Sequence, residues 1–256
     1  MARDMPKGDA RAKAFLRSAG DFFWPPRSLI SGARGMGSGP LSPADFAQLR
    51  FISDPLCDRC GAPLDYRTGD ETWCVICLAR PPRWDRARAA LIYDETARRP
   101  VLDLKRAGRR DGLETLCGWM RQAGGVLIDE ADVLVPVPLH YTRLVVRGFN
   151  QSGWLAQAIG EASGRRVVVD GLKRTRRTPS QAGLAGRARR RNVSGAFQVR
   201  RSRAAEIADK RVLLVDDVLT TGATLSACTR VLKQAGARHV DVLVLARVVR
   251  ETDVTI

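Results

Sequence analysis

Two acidic residues directly follow a run of four apolar residues in the C-terminal part of the chain. Val212–Val215 predicts a buried strand, and Asp216 and Asp217 come at its carboxyl end, where open α/β sheets bind ligands. The next residues open a helix and are small or carry hydroxyls: Thr220, Thr221, Gly222, Ala223 and Thr224. Free amides and the positive dipole at a helix start attract phosphate, whereas carboxylates accept hydrogen bonds from sugar hydroxyls. The pattern therefore predicts a site for a ribose 5-phosphate.

A purely structural interpretation of this pattern is that Asp217 and Thr221 cap the helix. Capping accounts for one acidic or hydroxyl residue, but not for two acids and three threonines around a glycine, so we favour the ligand site. The order of strand, acid pair and Thr-Gly-x-Thr resembles the motif by which type I phosphoribosyltransferases bind phosphoribosyl diphosphate (PRPP). That resemblance implies that Asp216 and Asp217 hold the ribose hydroxyls and stabilise an oxocarbenium-like carbon. It also implies that residues 220–224 hold the 5-phosphate and that Mg²⁺ is carried mostly by the ligand's own oxygens.

Four of the six cysteines form two Cys-x2-Cys pairs. Cys57 and Cys60 are separated by 13 residues from Cys74 and Cys77, which is the spacing of a zinc ribbon. Neither histidine lies near these pairs, so the predicted site is closed and structural. We expect one structural Zn²⁺ per chain in preference to disulfides or free thiols. The two remaining cysteines are interpreted as small buried hydrophobic residues: Cys117 and Cys228.

Apolar segments alternate with helical patterns from Trp84 onward, which predicts a mainly parallel sheet covered by helices on both faces. The predicted strands are 88–93, 133–137, 167–169, 212–215 and 240–246, and the predicted helices are 100–107, 113–126, 151–162 and 223–235. We predict three segments: residues 1–50, with a short helix over 10–24 and a glycine-rich linker over 32–40; a zinc ribbon over 51–82; and an α/β domain over 83–256.

Two further stretches, together with residues 212–225, resemble the ComF family. Residues 135–151, which read Val-Pro-Val-Pro-Leu-His and later Arg-Gly-Phe-Asn-Gln, are similar to the diphosphate-loop signature of that family. Residues 177–197, with Arg-Thr-Pro-Ser-Gln near their start and Gly-Ala-Phe at their end, are similar to its flexible-loop signature. The resemblance implies a type I phosphoribosyltransferase fold with a small N-terminal zinc-ribbon domain.

The resemblance also suggests further site residues. A strand that leads to a loop with arginine and glycine is suited to hold the diphosphate group. His140 and Arg147, in the loop after the predicted strand over 133–137, are therefore candidate PRPP ligands, and Lys105, in the separate stretch Leu-Lys-Arg-Ala-Gly, is another. Taken singly, Lys105 or Arg147 is equally interpreted as a solvated surface charge. In related transferases the flexible loop closes over PRPP and excludes water, and here Arg177 and Arg191 would be its catalytic charges.

ComF-like chains often carry a second ribbon upstream, and this sequence departs from that pattern. Ser28–Ser31 and Ser42–Asp45 are spaced like Cys-x2-Cys pairs but offer no thiolates. This departure supports the expectation of a single zinc ion. We expect residues 20–50 to be held by packing or to be partly disordered.

Basic residues are concentrated in one segment of the chain. The net charge is +16, and residues 165–203 contribute +12 of it, with Asp170 as their one acidic residue. Such a segment predicts an anionic partner. Three functions remain open: an enzyme that transfers phosphoribose from PRPP to an unknown acceptor, a regulatory protein that handles single-stranded DNA together with DNA-uptake proteins, or a scaffold whose pocket is vestigial. The intact acid pair and Thr-Gly-x-Thr disfavour the third. No stretch predicts a membrane span or a signal peptide, so we expect a cytoplasmic protein.

Overall fold

The computed structural model describes residues 28–31, 41–67, 69, 71–106, 112–140, 144–145, 148–176 and 195–249. The chain divides into two compact units, Met1–Leu49 and Arg50–Ile256. The predicted helix over 10–24 and the predicted linker over 32–40 lie outside the described residues. The second unit contains both cysteine pairs and the α/β sheet.

The described residues form seven strands: β1 (Ala87–Ile92), β2 (Val133–Pro136), β3 (Arg166–Val167), β4 (Leu172–Arg174), β5 (Phe197–Val199), β6 (Arg211–Leu219) and β7 (His239–Arg247). They also form a 3-10 helix, Arg201–Glu206, and six α-helices: α1 (Pro43–Phe46), α2 (Val75–Ala79), α3 (Glu95–Arg106), α4 (Leu113–Glu130), α5 (Gln151–Ser163) and α6 (Ala223–Gln234). Five strands make one parallel sheet in the order β1-β7-β6-β2-β3, and β4 pairs with β5 in antiparallel orientation. The predicted fold class, a parallel sheet with flanking helices, is confirmed.

Helices cover both faces of the parallel sheet. Successive side chains of a strand point to opposite faces, so Leu243 of β7 points away from Val242 and Val244. Gly124 of α4 lies against Leu243, since a Cβ atom on this glycine would come within 2.6 Å of a leucine methyl group. Leu225 of α6 instead belongs to a buried cluster with Val242 and Val244. With both faces covered, the carboxyl ends of the strands are the place for a ligand.

Strand β6 is longer than the predicted strand over 212–215. It continues to Leu219 because it keeps pairing with β7 up to the Leu219–Arg247 pair. Asp216 and Asp217, predicted to follow the last residue of a strand over 212–215, therefore lie inside a longer strand, so the predicted boundary is wrong. Strand β2, the other neighbour of β6, already ends at Pro136, opposite Val215. Both acidic residues thus lie past the end of β2.

Several other boundaries differ from the prediction. Helix α3 begins at Glu95, ahead of the predicted start at Pro100, because the Asp94 carboxylate accepts a hydrogen bond from the Ala97 amide at 2.9 Å and so caps the helix. Helix α4 runs on to Glu130, and β3 is shorter than predicted. The β4–β5 pair was not predicted, because three-residue strands give too short an alternation to detect.

The cysteine-bearing segment packs directly on strand β1. Gly61 has a φ of +65°, and a Cβ atom there would lie 2.6 Å from the carbonyl oxygen of Ala87. Arg88 of β1 donates a hydrogen bond to the carbonyl of Asp58 at 3.2 Å and lies 3.5 Å from its carboxylate. Only glycine allows so close an approach of the two backbones. The ribbon and the sheet are therefore parts of one compact unit.

Candidate functional site

Strand β6 and the start of helix α5 together hold the acid pair. Asp216 and Asp217 are both buried. The Ser152 hydroxyl donates to the Asp216 carboxylate at 2.8 Å, and the Gln151 side-chain amide donates to the Asp217 carboxylate at 3.2 Å. The Asp217 amide also donates to the Asp216 carboxylate at 2.9 Å. Because buried carboxylates need hydrogen-bond donors, these contacts fix both side chains in place.

Ser152 was not predicted as a site residue, and Gln151 was noted only as the last residue of the signature over 135–151, with no contact to the acid pair expected. Both are buried polar residues in the first turn of α5. The available signal was their position, because polar side chains at the start of a helix that packs on a sheet must find buried partners. The sequence alone gave no way to tell that these partners are the acid pair, which lies far away along the chain.

The turn after β6 leads into helix α6 through Gly222. This glycine has a φ of +70°, occupies the N-cap position and has no side chain with which to cap the helix. The first helical hydrogen bond runs from the Ser226 amide to the Gly222 carbonyl at 2.8 Å. Amides in the first turn of a helix have no intrahelical partners, and they carry the positive end of the dipole. The start of α6 is therefore suited to bind an anion.

Thr221 places a further polar group in this turn. Its hydroxyl oxygen is buried and has no hydrogen-bond partner among the described residues. A buried hydroxyl without a protein partner is available to bind a water, an ion or a ligand. Thr220 is exposed, and Thr224 is half-buried. The turn therefore combines a glycine-capped helix start with threonine hydroxyls, as the sequence predicted.

Of the other predicted ligand and catalytic residues, only His140 has a described side chain. His140 follows β2, and its backbone forms a bridge with Arg174. Asn150 donates from its side chain to the carbonyl of Val137 at 3.1 Å, which ties the end of the loop after β2 to its beginning. Four predicted side chains lie outside the described residues: Lys105 of α3, Arg147, Arg177 and Arg191. Their roles as phosphate and catalytic contacts stay predictions.

The four paired cysteines form a compact cluster. Their sulfur atoms all lie within 4.8 Å of one another, and Cys60 Sγ and Cys74 Sγ are 3.7 Å apart. Tetrahedral zinc with Zn–S bonds of about 2.3 Å would place its thiolates about 3.8 Å apart. The Cys74 amide donates to Cys57 Sγ at 3.3 Å, and hydrogen bonds from Cys60 and the other cluster thiols hold the pKa of Cys57 well below its usual range. The cluster fits a metal ion, and it is the only such group of His, Cys, Asp or Glu in the described part of the chain.

The two unpaired cysteines lie in the core. Burial raises the pKa of the Cys117 thiol to about 12, and it raises the pKa of Cys228 well above its usual value. Both thiols are therefore protonated at neutral pH, whereas a reactive cysteine needs the thiolate form. They pack as small apolar side chains.

In the first unit, the residues that are spaced like Cys-x2-Cys pairs also come together. They are Ser28, Ser31, Ser42 and Asp45. Asp45 is buried and accepts hydrogen bonds from the hydroxyl of Ser28 and, at 2.9 Å, from that of Ser31. Its own amide donates to the Ser42 hydroxyl at 3.0 Å. The hydrogen bond from Ser28 is the main reason why the pKa of Asp45 is lowered. We call these four residues the serine–aspartate cluster.

A basic cleft lies beside the β4–β5 pair. Its volume is about 540 Å³, and Lys173, Arg200 and Arg201 contribute its positive charge. Within the described residues, no carboxylate forms an ion pair with these three side chains. In contrast, Arg203 nearby is paired with Asp170. The cleft is therefore suited to hold an anion.

Comparisons with known proteins agree with the fold. The family model of the phosphoribosyl transferase domain matches residues 125–254. Competence protein F of Haemophilus influenzae is 30% identical over 207 residues, which span 78% of this chain and 88% of that protein. The DNA utilization protein YhgH of Escherichia coli K12 is 31% identical over 199 residues, which span 75% of this chain and 84% of that protein.

A solved structure described as the allosteric regulatory enzyme of purine biosynthesis aligns with 56% of this chain and 30% of its own. The identity is 22% and the TM-score is 0.38, too low to carry a functional argument. The described helices include none with the length and apolar character needed to cross a membrane.

Proposed function

Because the chain belongs to the ComF family of phosphoribosyl-transferase-domain proteins, we propose that it binds PRPP or a related ribose 5-phosphate at the end of β6. The observation that carries this proposal is the combination of two features on one strand–turn–helix. A buried acid pair is fixed by hydrogen bonds, and the glycine-capped helix start after it contains the buried Thr221 hydroxyl, which has no partner among the described residues. Carboxylates suit the sugar, and the helix start suits the phosphate.

In this proposal each part of the site has a separate task. Asp216 and Asp217 accept hydrogen bonds from the ribose hydroxyls, while Ser152 and Gln151 keep the carboxylates oriented. The hydroxyls and amides of residues 220–224 hold the 5-phosphate. Mg²⁺ is carried mostly by oxygens of the ligand, as the resemblance to phosphoribosyltransferases implies.

We extend the proposal to transfer of the phosphoribosyl group to an acceptor. Negative charge from the acid pair stabilises the positive charge that develops on the ribose carbon. Lys105, His140 and Arg147 hold the diphosphate leaving group. The loop around residues 177–197, with Arg177 and Arg191, closes over the ligand and excludes water.

Calorimetric titration with Mg·PRPP tests the binding site. We expect wild type to bind, and the double variant Asp216→Asn/Asp217→Asn to bind about tenfold to a hundredfold more weakly, because it loses hydrogen bonds to charged groups. Thr221→Val removes only a hydroxyl and should weaken binding by about twofold to tenfold. Asp129→Asn, an exposed carboxylate on α4, serves as the matched control. Absence of heat with wild type, or equal affinity in all four proteins, would refute the proposal.

We propose that the cysteine cluster holds zinc that is bound structurally and takes no part in catalysis. Four thiolates leave no open position for a substrate, as a catalytic site would require. Thiolates persist in a reducing compartment, which supports a cytoplasmic location. Elemental analysis of the purified protein measures this directly, with one zinc ion per chain expected.

A second candidate function is the handling of single-stranded DNA without catalysis. The names of the relatives, competence protein and DNA utilization protein, and the basic cleft with Lys173, Arg200 and Arg201 favour it. Fluorescence anisotropy with a labelled oligonucleotide tests this candidate. Replacing the three basic residues by alanine should weaken binding and reduce the slope of log affinity against log salt by about 2. Unchanged affinity and slope would exclude the cleft as a DNA site.

A further inference from the structure

One tryptophan joins the cysteine cluster to residues 220–224, which are proposed to hold the 5-phosphate and are called the phosphate-binding turn below. Trp84, which precedes β1 in the chain, is buried, and its indole nitrogen donates a hydrogen bond to the carbonyl of Arg59 at 2.9 Å. Arg59 lies within the loop between Cys57 and Cys60. The opposite edge of the same ring lies on Gly222, where a Cβ atom would come within 2.5 Å of Cη2 and 3.1 Å of Cζ3. A single rigid ring therefore spans the distance from the ribbon to the start of α6.

Arg247 makes a second connection between the same two regions. Its guanidinium donates to the carbonyl of Cys60, and the residue is buried at the end of β7. Arg247 is paired in the sheet with Leu219, the last residue of β6 before the turn. The backbone carbonyls of two successive ribbon residues, Arg59 and Cys60, are thus bound to groups that flank the phosphate-binding turn.

These contacts depend on where the loop between Cys57 and Cys60 holds its carbonyls. Bound zinc fixes such a loop, because both of its cysteines are then coordinated to one ion. The Trp84 ring cannot bend, and Gly222 leaves no gap between the ring and the turn. A shift of the loop is therefore transmitted to the turn as a shift of the ring.

We propose that Trp84 is a positioning residue through which metal occupancy of the cysteine cluster sets the geometry of the phosphate-binding turn. This inference rests on the proposed binding of a ribose phosphate at that turn. It makes the structural metal a regulator of ligand affinity. Coupling of this kind is reciprocal: whatever factor zinc adds to ligand affinity, the ligand adds to zinc affinity.

The alternative role of Trp84 is simple packing in the core. Packing predicts that a substitution lowers stability without changing how the two sites communicate. Because the coupling is reciprocal, it can be measured as the effect of the ligand on zinc affinity. The starting material is then the folded, zinc-bound protein. The useful substitution is Trp84→Phe, which keeps an aromatic ring in the core and removes the N–H that reaches Arg59. The matched control is Trp119→Phe on α4, whose ring contacts Phe51 edge-on at 5.3 Å.

The experiment measures zinc affinity by equilibrium competition with a chelator, with and without saturating Mg·PRPP. We expect the ligand to raise zinc affinity by about fivefold or more in wild type and Trp119→Phe. In Trp84→Phe this increase should be largely lost, while the circular dichroism spectrum and ligand-free zinc binding are retained. An equal increase in Trp84→Phe, or no increase in wild type, would overturn the inference. Calorimetry of wild type with Mg·PRPP separates the two proposals: heat without coupling refutes only this inference, whereas no heat refutes the proposed ligand site and the inference with it.

Discussion

Two groups of four side chains share the spacing of paired metal-binding turns but are held together by different chemistry. In the cysteine cluster the four sulfur atoms lie within 4.8 Å of one another, close enough for one metal ion to bind them all. In the serine–aspartate cluster the same pair spacing brings two hydroxyls onto the carboxylate of Asp45. The comparison teaches that hydrogen bonds to one buried carboxylate can hold turns that elsewhere converge on a metal. It also predicts that the two groups respond differently to metal, mutation and acid.

The largest expected difference concerns the metal. Structural zinc contributes on the order of 10–16 kcal/mol to the folding of small zinc domains. Cys74→Ser should therefore abolish zinc binding and destabilise the ribbon strongly. Asp45→Asn should leave the zinc content at one ion per chain. Elemental analysis and thermal melting check both variants, and two zinc ions per wild-type chain would contradict the account.

The second prediction converts one group into the other. Replacing Ser28, Ser31, Ser42 and Asp45 together by cysteine should raise the zinc content to two ions per chain. The reason is that the described side chains already converge, so that four thiolates would be placed around a common point. The corresponding four alanine substitutions form the control and should leave one zinc ion. If the cysteine variant also bound only one zinc ion per chain, the serine–aspartate cluster would not have the geometry of a metal site.

The fold was more predictable from sequence than the contacts that position the site. Short apolar runs identified the five strands of the parallel sheet, and the zinc spacing identified Cys57, Cys60, Cys74 and Cys77 as one group, because both are local patterns. The length of β6 could not be predicted, since Asp216 and Asp217 stay in the strand only through pairing with β7. Local sequence carries no information on such a partner.

Contacts between distant segments were missed for the same reason. Nothing in the sequence connects Ser152 with Asp216, or Trp84 with Gly222. In the second case the glycine was predicted only as part of the 5-phosphate site, and the structure adds that an indole ring lies against it. The convergence of Ser28 and Ser31 on Asp45 was not predicted either, although their spacing was recognised.

The third prediction concerns acid. Because the pKa of Asp45 is lowered in the folded protein, its stabilising contribution is complete above the ordinary carboxyl pKa of about 3.9 and is lost as the pH falls through the lower folded value. Thiolates are much stronger bases, so protons should displace zinc at a higher pH. Hydrogen-exchange protection should therefore disappear first at the Cys74 amide and only at lower pH at the Ile30 amide. The reverse order would contradict the assignment of chemistry to the two groups.

The smallest expected effect is that of Ser42→Ala. This change removes the hydroxyl that caps α1 and should cost about 1 kcal/mol in the stability of the first unit. Ser42→Asn, which can still cap the helix, is the matched control. Hydrogen exchange in the first unit should report the loss, while zinc content and ligand binding stay unchanged. A change in zinc content would show that Ser42 takes part in metal binding.

The claim on which the account depends most is that the turn at Gly222 holds the phosphate of a ribose 5-phosphate. Phosphorus NMR of ribose 5-phosphate, titrated with wild type and with Gly222→Ala, observes that phosphate directly. Alanine at this position is strained at a φ of +70° and collides with Trp84. We predict that wild type shifts and broadens the phosphate resonance and that folded Gly222→Ala does so far less. An unperturbed resonance with wild type, or an equal perturbation by the variant, would contradict the claim.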